Sequence, residues 1–193
     1  MTRMPKKGLD SNIIVYSLLE DHPASEVCGG YLKDSRHTFY TTSLTPFEVY
    51  FALHRIYGIP PAEASSKVLS LLQAPLTIFD VRASDLHAAI RRCATKGIET
   101  NDSLLVQMCV SSEIPSLVSD DRRLLRVCEE EGIHPECPIG EDHRRLMQEW
   151  EKAKLVPAGL PRLLSRVHSW MQEINPQLAE SFLQASENLR HLP

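Results

Sequence analysis

No stretch of the 193-residue chain approaches the run of about 18–20 apolar residues that spans a bilayer. The N-terminal Met1-Thr2-Arg3-Met4-Pro5-Lys6-Lys7 is basic but leads into no apolar signal core, so a cytoplasmic location is expected, with no membrane partner. Paired cysteines are also missing. The five stand singly at 28, 93, 109, 128 and 137 without a CxxC, which excludes a disulfide framework or a zinc ribbon. The eight histidines show no HxxxH or HxH spacing, so zinc hydrolysis has no ligand set. Positive charge is in short supply as well. At a net −4, bulk electrostatics cannot recruit nucleic acid, and any such chemistry needs a local site. Internal repeats and low-complexity tracts are absent. What is present, 42% hydrophobic and 24% charged residues, is the composition of one globular domain with room for an appendage.

The pattern along the chain alternates between short β-prone segments and helical ones. Strands are expected at 7–9, 38–42, 76–79 and 115–118, and helices at 12–20, 23–33, 44–57, 61–72, 84–96, 101–111 and 122–131. Ser43 is placed to cap the 44–57 helix, while Gly58, Gly97 and Gly132 stand as helix stops. Strands separated by helices of this length indicate βαβ units and a parallel sheet. The alternation breaks at 134–140, around Pro135 and Pro138. Three further helices follow, at 141–154, 162–173 and 176–192, which divides the chain into a domain at 1–138 and a helical extension at 139–193. Leu160, Leu163, Leu164, Val167, Trp170 and Met171 recur there at helical spacing, and Trp150 and Trp170 are expected to pack the extension.

Carboxylates occupy unusual places. Asp10 directly follows the first strand, Glu48 lies one turn into the helix after the second, Asp102 starts the most apolar helix, and Asp120 and Asp121 follow the fourth strand. Each has an ordinary structural explanation alone: a helix cap for Asp10 or Asp121, a dipole-favoured acid for Asp102, a solvent-facing residue for Glu48. Strand ends of an open parallel sheet share one edge, however, and ligands collect in the crevice there. Carboxylates brought within about 6 Å of one another drive each other toward protonation unless a cation balances them. An all-oxygen donor set without histidine or cysteine selects Mg²⁺ or Mn²⁺. Such an ion lets an acidic site accept a phosphodiester and activates water against it.

Four motifs then line up. They are Leu9-Asp10-Ser11-Asn12 with Asp21-His22-Pro23; Thr42-Ser43-Leu44 through Glu48; Gly97-Ile98 with Asn101-Asp102-Ser103; and Leu117-Val118-Ser119-Asp120-Asp121-Arg122-Arg123-Leu124. In this order and spacing the chain resembles a PIN domain, the metal-dependent nuclease fold that includes VapC-type toxins of toxin–antitoxin pairs. The resemblance covers residues 8 to about 135. It implies a three-layer α/β/α sandwich with a mainly parallel central sheet, and an endoribonuclease leaving 5′-phosphate and 3′-hydroxyl ends. Asp10, Glu48 and Asp102 would be metal-site carboxylates. Asp121 takes the fourth acidic position if Ser119 stands for the family's threonine, with Asp120 a neighbour able to substitute or help. Asn12 and Ser119 would orient the carboxylates or metal water. Arg122 and Arg123 stand where they could meet phosphate, although helix-face arginines are ordinarily solvated. Serine replaces the usual threonine at 11 and 119, and the first strand, with Pro5, Lys6 and Lys7, is polar where a central strand should be apolar.

The expected function is therefore a Mg²⁺- or Mn²⁺-dependent ribonuclease using metal-activated water, the toxin of a toxin–antitoxin pair. RNA would be its substrate, an antitoxin protein its partner, and a homodimer its assembly. The alternative is a non-catalytic RNA-binding or scaffold module whose site the C-terminal helices cover. A phosphatase with an Asp-x-Asp nucleophile fits poorly, because Asn12 stands where the second aspartate belongs.

Overall fold

The computed structural model describes residues 4–155 and 162–187. Five strands, β1 (Lys6–Leu9), β2 (Thr38–Thr42), β3 (Leu76–Phe79), β4 (Ser116–Val118) and β5 (His134–Glu136), form one all-parallel sheet in the order β3-β2-β1-β4-β5. Between β1 and β2 run α1 (Ser11–Leu18) and α2 (Ser25–Leu32). Helices α3 (Thr45–Phe51) and α4 (Pro61–Leu71) join β2 to β3, α5 (Ala83–Lys96) and α6 (Thr100–Ser111) join β3 to β4, and α7 (Arg122–Glu130) joins β4 to β5. The α/β sandwich expected from the sequence is thus the one observed.

Side-chain alternation along the strands divides the core into two clusters. Leu9, Phe39 and Val118 face one way, onto Ile13 and Ile14 of α1, Cys28 of α2 and Val49 of α3. Leu117 and Tyr40 face the other way, onto Leu105, Val106 and Cys109 of α6 and Leu124 and Cys128 of α7. Cys28, Cys109 and Cys128 are buried free thiols, and burial pushes those of Cys28 and Cys128 up to about 12. Gly8 lets α6 approach the sheet closely: a Cβ there would lie 2.5 Å from Cys109 Sγ.

Three local expectations differ from the structure. The 134–140 segment contributes a fifth strand, paired Leu117 to Pro135. Proline can stand there because β5 is an edge strand, where a missing N–H breaks no inner ladder. Ser43 does not cap α3. Its N–H bonds Phe79 O (2.9 Å), prolonging the β2–β3 ladder, and Leu44 takes the cap position. The 44–57 helix is α-helical only to Phe51 and then widens into a π-helical turn, Ala52–Ile56, before the left-handed Gly58.

The polar first strand also has an explanation. Lys7 is buried in the centre of the sheet, yet its ammonium donates to the Tyr31 hydroxyl (2.8 Å) and pairs with the Glu136 carboxylate, to which Tyr31 also donates (2.7 Å). A buried lysine is tolerated when so matched.

The chain divides into two compact units, Met1–Met147 and Gln148–Pro193, a later division than the 138/139 boundary placed at the Pro135/Pro138 break. Helix α8 (Glu141–Lys154) begins in the first unit, where its Met147 joins the core. The second unit carries α9 (Arg162–Ile174) and α10 (Pro176–Glu187). Asn175 between them caps α10, its Oδ1 accepting from the N–H groups of Gln177 (3.1 Å) and Leu178 (3.2 Å). Trp170, expected to pack, is 60% exposed. Leu160 and the 188–192 end of the last expected helix lie outside the described residues, and the described side chains do not include Leu163 or Leu164. Among the described residues no helix is long and apolar enough to cross a membrane.

Candidate metal-binding cleft

Sheet order decides which acids meet. With β1 between β2 and β4, the chain leaves β1 for β2 on one side while β4 pairs with β1 on the other, the position at which open α/β sheets form their ligand crevice. Register then sets the details. Leu9 pairs with Val118, so Asp10 and Ser119, one residue further along, stand side by side at the carboxyl edge.

Asp10 occupies the N-cap position of α1 but makes no side-chain cap. The residue is 6% exposed, and its carboxylate instead accepts from Ser119 Oγ (2.5 Å) and Ser11 Oγ (3.4 Å). Ser119 is fully used. Its one proton goes to Asp10, and its oxygen accepts from Asn12 Nδ2 (3.1 Å) and the Asp121 N–H (2.9 Å). Asn12 Oδ1 in turn accepts from the Asp120 N–H (3.3 Å). The expected orienting pair, Asn12 and Ser119, therefore clamps the end of β1 to the turn after β4.

Glu48 reaches the same edge from α3. Thr41, wholly buried at the end of β2, has its hydroxyl 2.9 Å from Leu9 O and 2.7 Å from the Thr45 hydroxyl, which ties the start of α3 to β1. Asn101, in the first turn of α6, donates to Glu48 Oε1 (2.7 Å). Asp102 follows it and is half-buried.

Burial and mutual repulsion act on these carboxylates together. Burial raises the Asp10 carboxyl above its ordinary range; the Ser119 bond pulls it back and the Asp121 charge adds to the rise. Glu48 is pushed up to about 7 by burial, against the Asn101 bond and with the charges of Asp10 and Glu99. Asp102 is pushed up to about 8 by burial and then by Asp10, Asp121, Glu99 and Glu48. Sequence reasoning assigned no role to Glu99, at the N-cap of α6, or to Asn101. Their nearness to Asp102 in the chain was the available signal.

The adjacent aspartates separate. Asp121 Oδ1 caps α7, accepting from the N–H groups of Arg123 (2.6 Å) and Leu124 (3.2 Å), while its charge bears on Asp10 and Asp102. Asp120 points elsewhere, to the Arg144 guanidinium (2.5 Å) and the Cys137 thiol (3.7 Å). Arg122 is exposed and paired with Glu141 (2.7 Å), whereas the Arg123 guanidinium lies over Gly97, 2.6 Å from where a Cβ would stand.

Among the described residues no three Asp, Glu, His or Cys side chains form a ready-made metal cage. The donor set nonetheless suits a hard divalent cation. It is all carboxylate, its members raise one another's affinity for protons, and Mg²⁺ in particular keeps several waters and needs few protein ligands.

An all-parallel sheet with carboxylates gathered at the carboxyl edge of its central strands defines an α/β fold with its candidate site at the switch point. The chain belongs to the PIN-domain family, whose model matches residues 8–130. PIN domains are generally nucleases. Solved structures that share the fold include the following two. VapBC2 from Rickettsia felis, bound to a DNA fragment from their promoter, is 19% identical, with a TM-score of 0.51 over 68% of this chain and 98% of that one. PAE2754 from Pyrobaculum aerophilum is 18% identical, with a TM-score of 0.51 over 77% of this chain and 99% of that one. No curated protein matches the sequence.

Proposed function

We propose that the protein is a divalent-cation-dependent ribonuclease, with Asp10, Glu48, Asp102 and Asp121 as its cation-binding carboxylates. The observation that carries this reading is the gathering of Asp10, Glu48, Asp102 and Asp121 at one edge of the sheet, where burial and the neighbouring carboxylates push Asp102 up to about 8. Such a convergence costs folding energy and is relieved by a cation. A bound Mg²⁺ or Mn²⁺ would supply charge neutralisation, a contact for the scissile phosphate and an activated water. Ser119 and Ser11 hold the Asp10 carboxylate with both oxygens oriented, and Asn101 holds Glu48. Asp121 keeps Oδ2 available while Oδ1 anchors α7. Arg123, over the Gly97 corner before Glu99, is the better placed of the two arginines to meet a phosphate. Asp120 is engaged by Arg144 and is not assigned to the cation.

RNA is the substrate in this reading, and the likeness to VapBC2 from Rickettsia felis is in keeping with a toxin role and an antitoxin partner; a homodimeric assembly and a cytoplasmic setting belong to the same proposal. The test is cleavage of a mixed-sequence fluorogenic RNA with Mn²⁺ and with EDTA, for wild type and Asp102→Asn. Cleavage that needs Mn²⁺ and disappears in Asp102→Asn is the expected result. Equal cleavage by both proteins would refute it, and Mn²⁺ binding with no cleavage of any RNA would favour the non-catalytic scaffold.

A further inference from the structure

The 119–121 turn carries both Ser119, which orients Asp10, and Asp121, whose charge bears on Asp102. Two of its supports come from within the span matched by the family: Asn12, bonded to Ser119 and to the Asp120 N–H, and the α7 cap. Others come from beyond that span: the Ser119 N–H bonds Glu136 O (3.0 Å), and a guanidinium takes the Asp120 carboxylate. Arg144, on α8, sends Nη1 to Asp120 Oδ1 (2.5 Å) and Nη2 to Cys137 Sγ (3.3 Å), with Nε 3.8 Å from Glu141 Oε1. The ion pair is well shielded, its side chains 18% and 12% exposed. A planar fork that engages a carboxylate and a thiol at once is a task for guanidinium rather than ammonium.

We propose that Arg144 is a positioning residue of the acidic cleft, holding the Asp120 carboxylate away from Asp10, Asp102 and Asp121 and so fixing the turn that presents Ser119 to Asp10. The geometry calls for such a group. Asp120 is a further carboxylate next to a crowded cluster in the chain, flanked by two residues that serve that cluster. Without a counter-charge it is a shielded, uncompensated anion that gains by rotating out of its place, and rotation moves its neighbours. Arg144 thus makes the first turn of α8 part of the site. The consequence for cation binding rests on the nuclease reading above; the contact itself does not.

The test uses the full chain as wild type, Arg144→Met, Arg144→Lys, Asp120→Asn, Asp102→Asn and the pair Arg144→Met/Asp120→Asn. Mn²⁺ binding is followed by electron paramagnetic resonance, alongside RNA cleavage, at a temperature where melts in EDTA show every protein folded. Arg144→Met is expected to weaken Mn²⁺ binding by about tenfold, the usual scale for a group that orients metal ligands. The double variant is expected to return to within about threefold of Asp120→Asn, because a neutral amide no longer needs the guanidinium. Arg144→Lys, keeping charge without the fork, should fall between wild type and Arg144→Met.

A bystander cation gives the opposite sign, since removing a positive charge near the cluster tightens Mn²⁺ binding. Tighter or unchanged binding in Arg144→Met would therefore overturn the proposal, as would a double variant no better than Arg144→Met. Asp120→Asn losing Mn²⁺ as completely as Asp102→Asn would make Asp120 a ligand, with the same consequence. If wild type binds Mn²⁺ with the expected pattern across the variants but cleaves no RNA, the nuclease reading fails and the positioning role stands. Wild type that binds no Mn²⁺ would overturn both.

Discussion

Replacing Asp102 by asparagine is expected to stabilise the cation-free protein at alkaline pH and to remove its response to divalent cations. In the folded chain the Asp102 carboxyl is held at about 8, by burial and then by Asp10, Asp121, Glu99 and Glu48, against 3.8 for an unperturbed aspartate. Between those values the folded state keeps a proton that the unfolded state has released. Stability therefore falls as pH rises through the window, and the loss is complete above about 8. Glu48, held at about 7, acts in the same direction. Asp102 is half-buried and partly screened by water, so the effect to expect is about 1–2 kcal/mol rather than the full shift. For a chain of this size that is about 2–8 °C in thermal midpoint. The assay is thermal unfolding by circular dichroism in EDTA at about pH 5 and about pH 8.5, repeated with Mn²⁺ at the higher pH. Wild type should lose more stability than Asp102→Asn between the two pH values. Mn²⁺ should raise the wild-type midpoint and leave that of the variant nearly unchanged. An Asp102→Asn protein less stable than wild type at the higher pH in EDTA would refute the reasoning, because Asp102 would then be an ordinary acid favoured by the α6 dipole.

Ser119→Ala removes the hydroxyl shared by Asp10, Asn12 and the Asp121 N–H, and is expected to cost about 2–4 kcal/mol in urea unfolding while raising the Asp10 carboxyl further. Ser119→Thr, which keeps the hydroxyl, should retain the Mn²⁺ response that Ser119→Ala weakens; equal responses from the two would show that the clamp is immaterial. Gly8→Ala drives a Cβ to within 2.5 Å of Cys109 Sγ and should destabilise by about 1–3 kcal/mol. Adding Cys109→Ala should recover much of that loss, and failure to recover would place the strain outside the β1–α6 contact.

Much of the architecture was legible because it is written in short-range signals. Thr38-Phe39-Tyr40-Thr41-Thr42 and Leu76-Thr77-Ile78-Phe79 read as strands and are strands with those bounds, and Gly97 ends α5 in the left-handed conformation its position suggested. The misses share a cause. β5 was hidden because Pro135 is unfavourable in a strand unless that strand lies at an edge, and edge status belongs to the whole sheet. Ser43 has the chemistry of a helix cap, but its N–H was claimed by Phe79 from β3, thirty-odd residues away in sequence. Lys7 looked out of place because the groups that match it, Tyr31 and Glu136, come from α2 and β5.

The candidate site divides along the same line. Sequence alone determined that carboxylates follow the first, second and fourth strands and open the apolar helix, since strand ends and helix starts are local properties of the chain. Tertiary structure decided what those carboxylates do. Placing β1 between β2 and β4 in register Leu9 to Val118 brought Asp10 to Ser119. Packing against the shielded Arg144 turned Asp120 aside, while the α7 cap held Asp121 toward Asp10 and Asp102. Two neighbouring aspartates carry the same chemistry and nearly the same local signal. What distinguishes them is the charge each one faces, and that charge comes from residues the chain delivers only after it has folded.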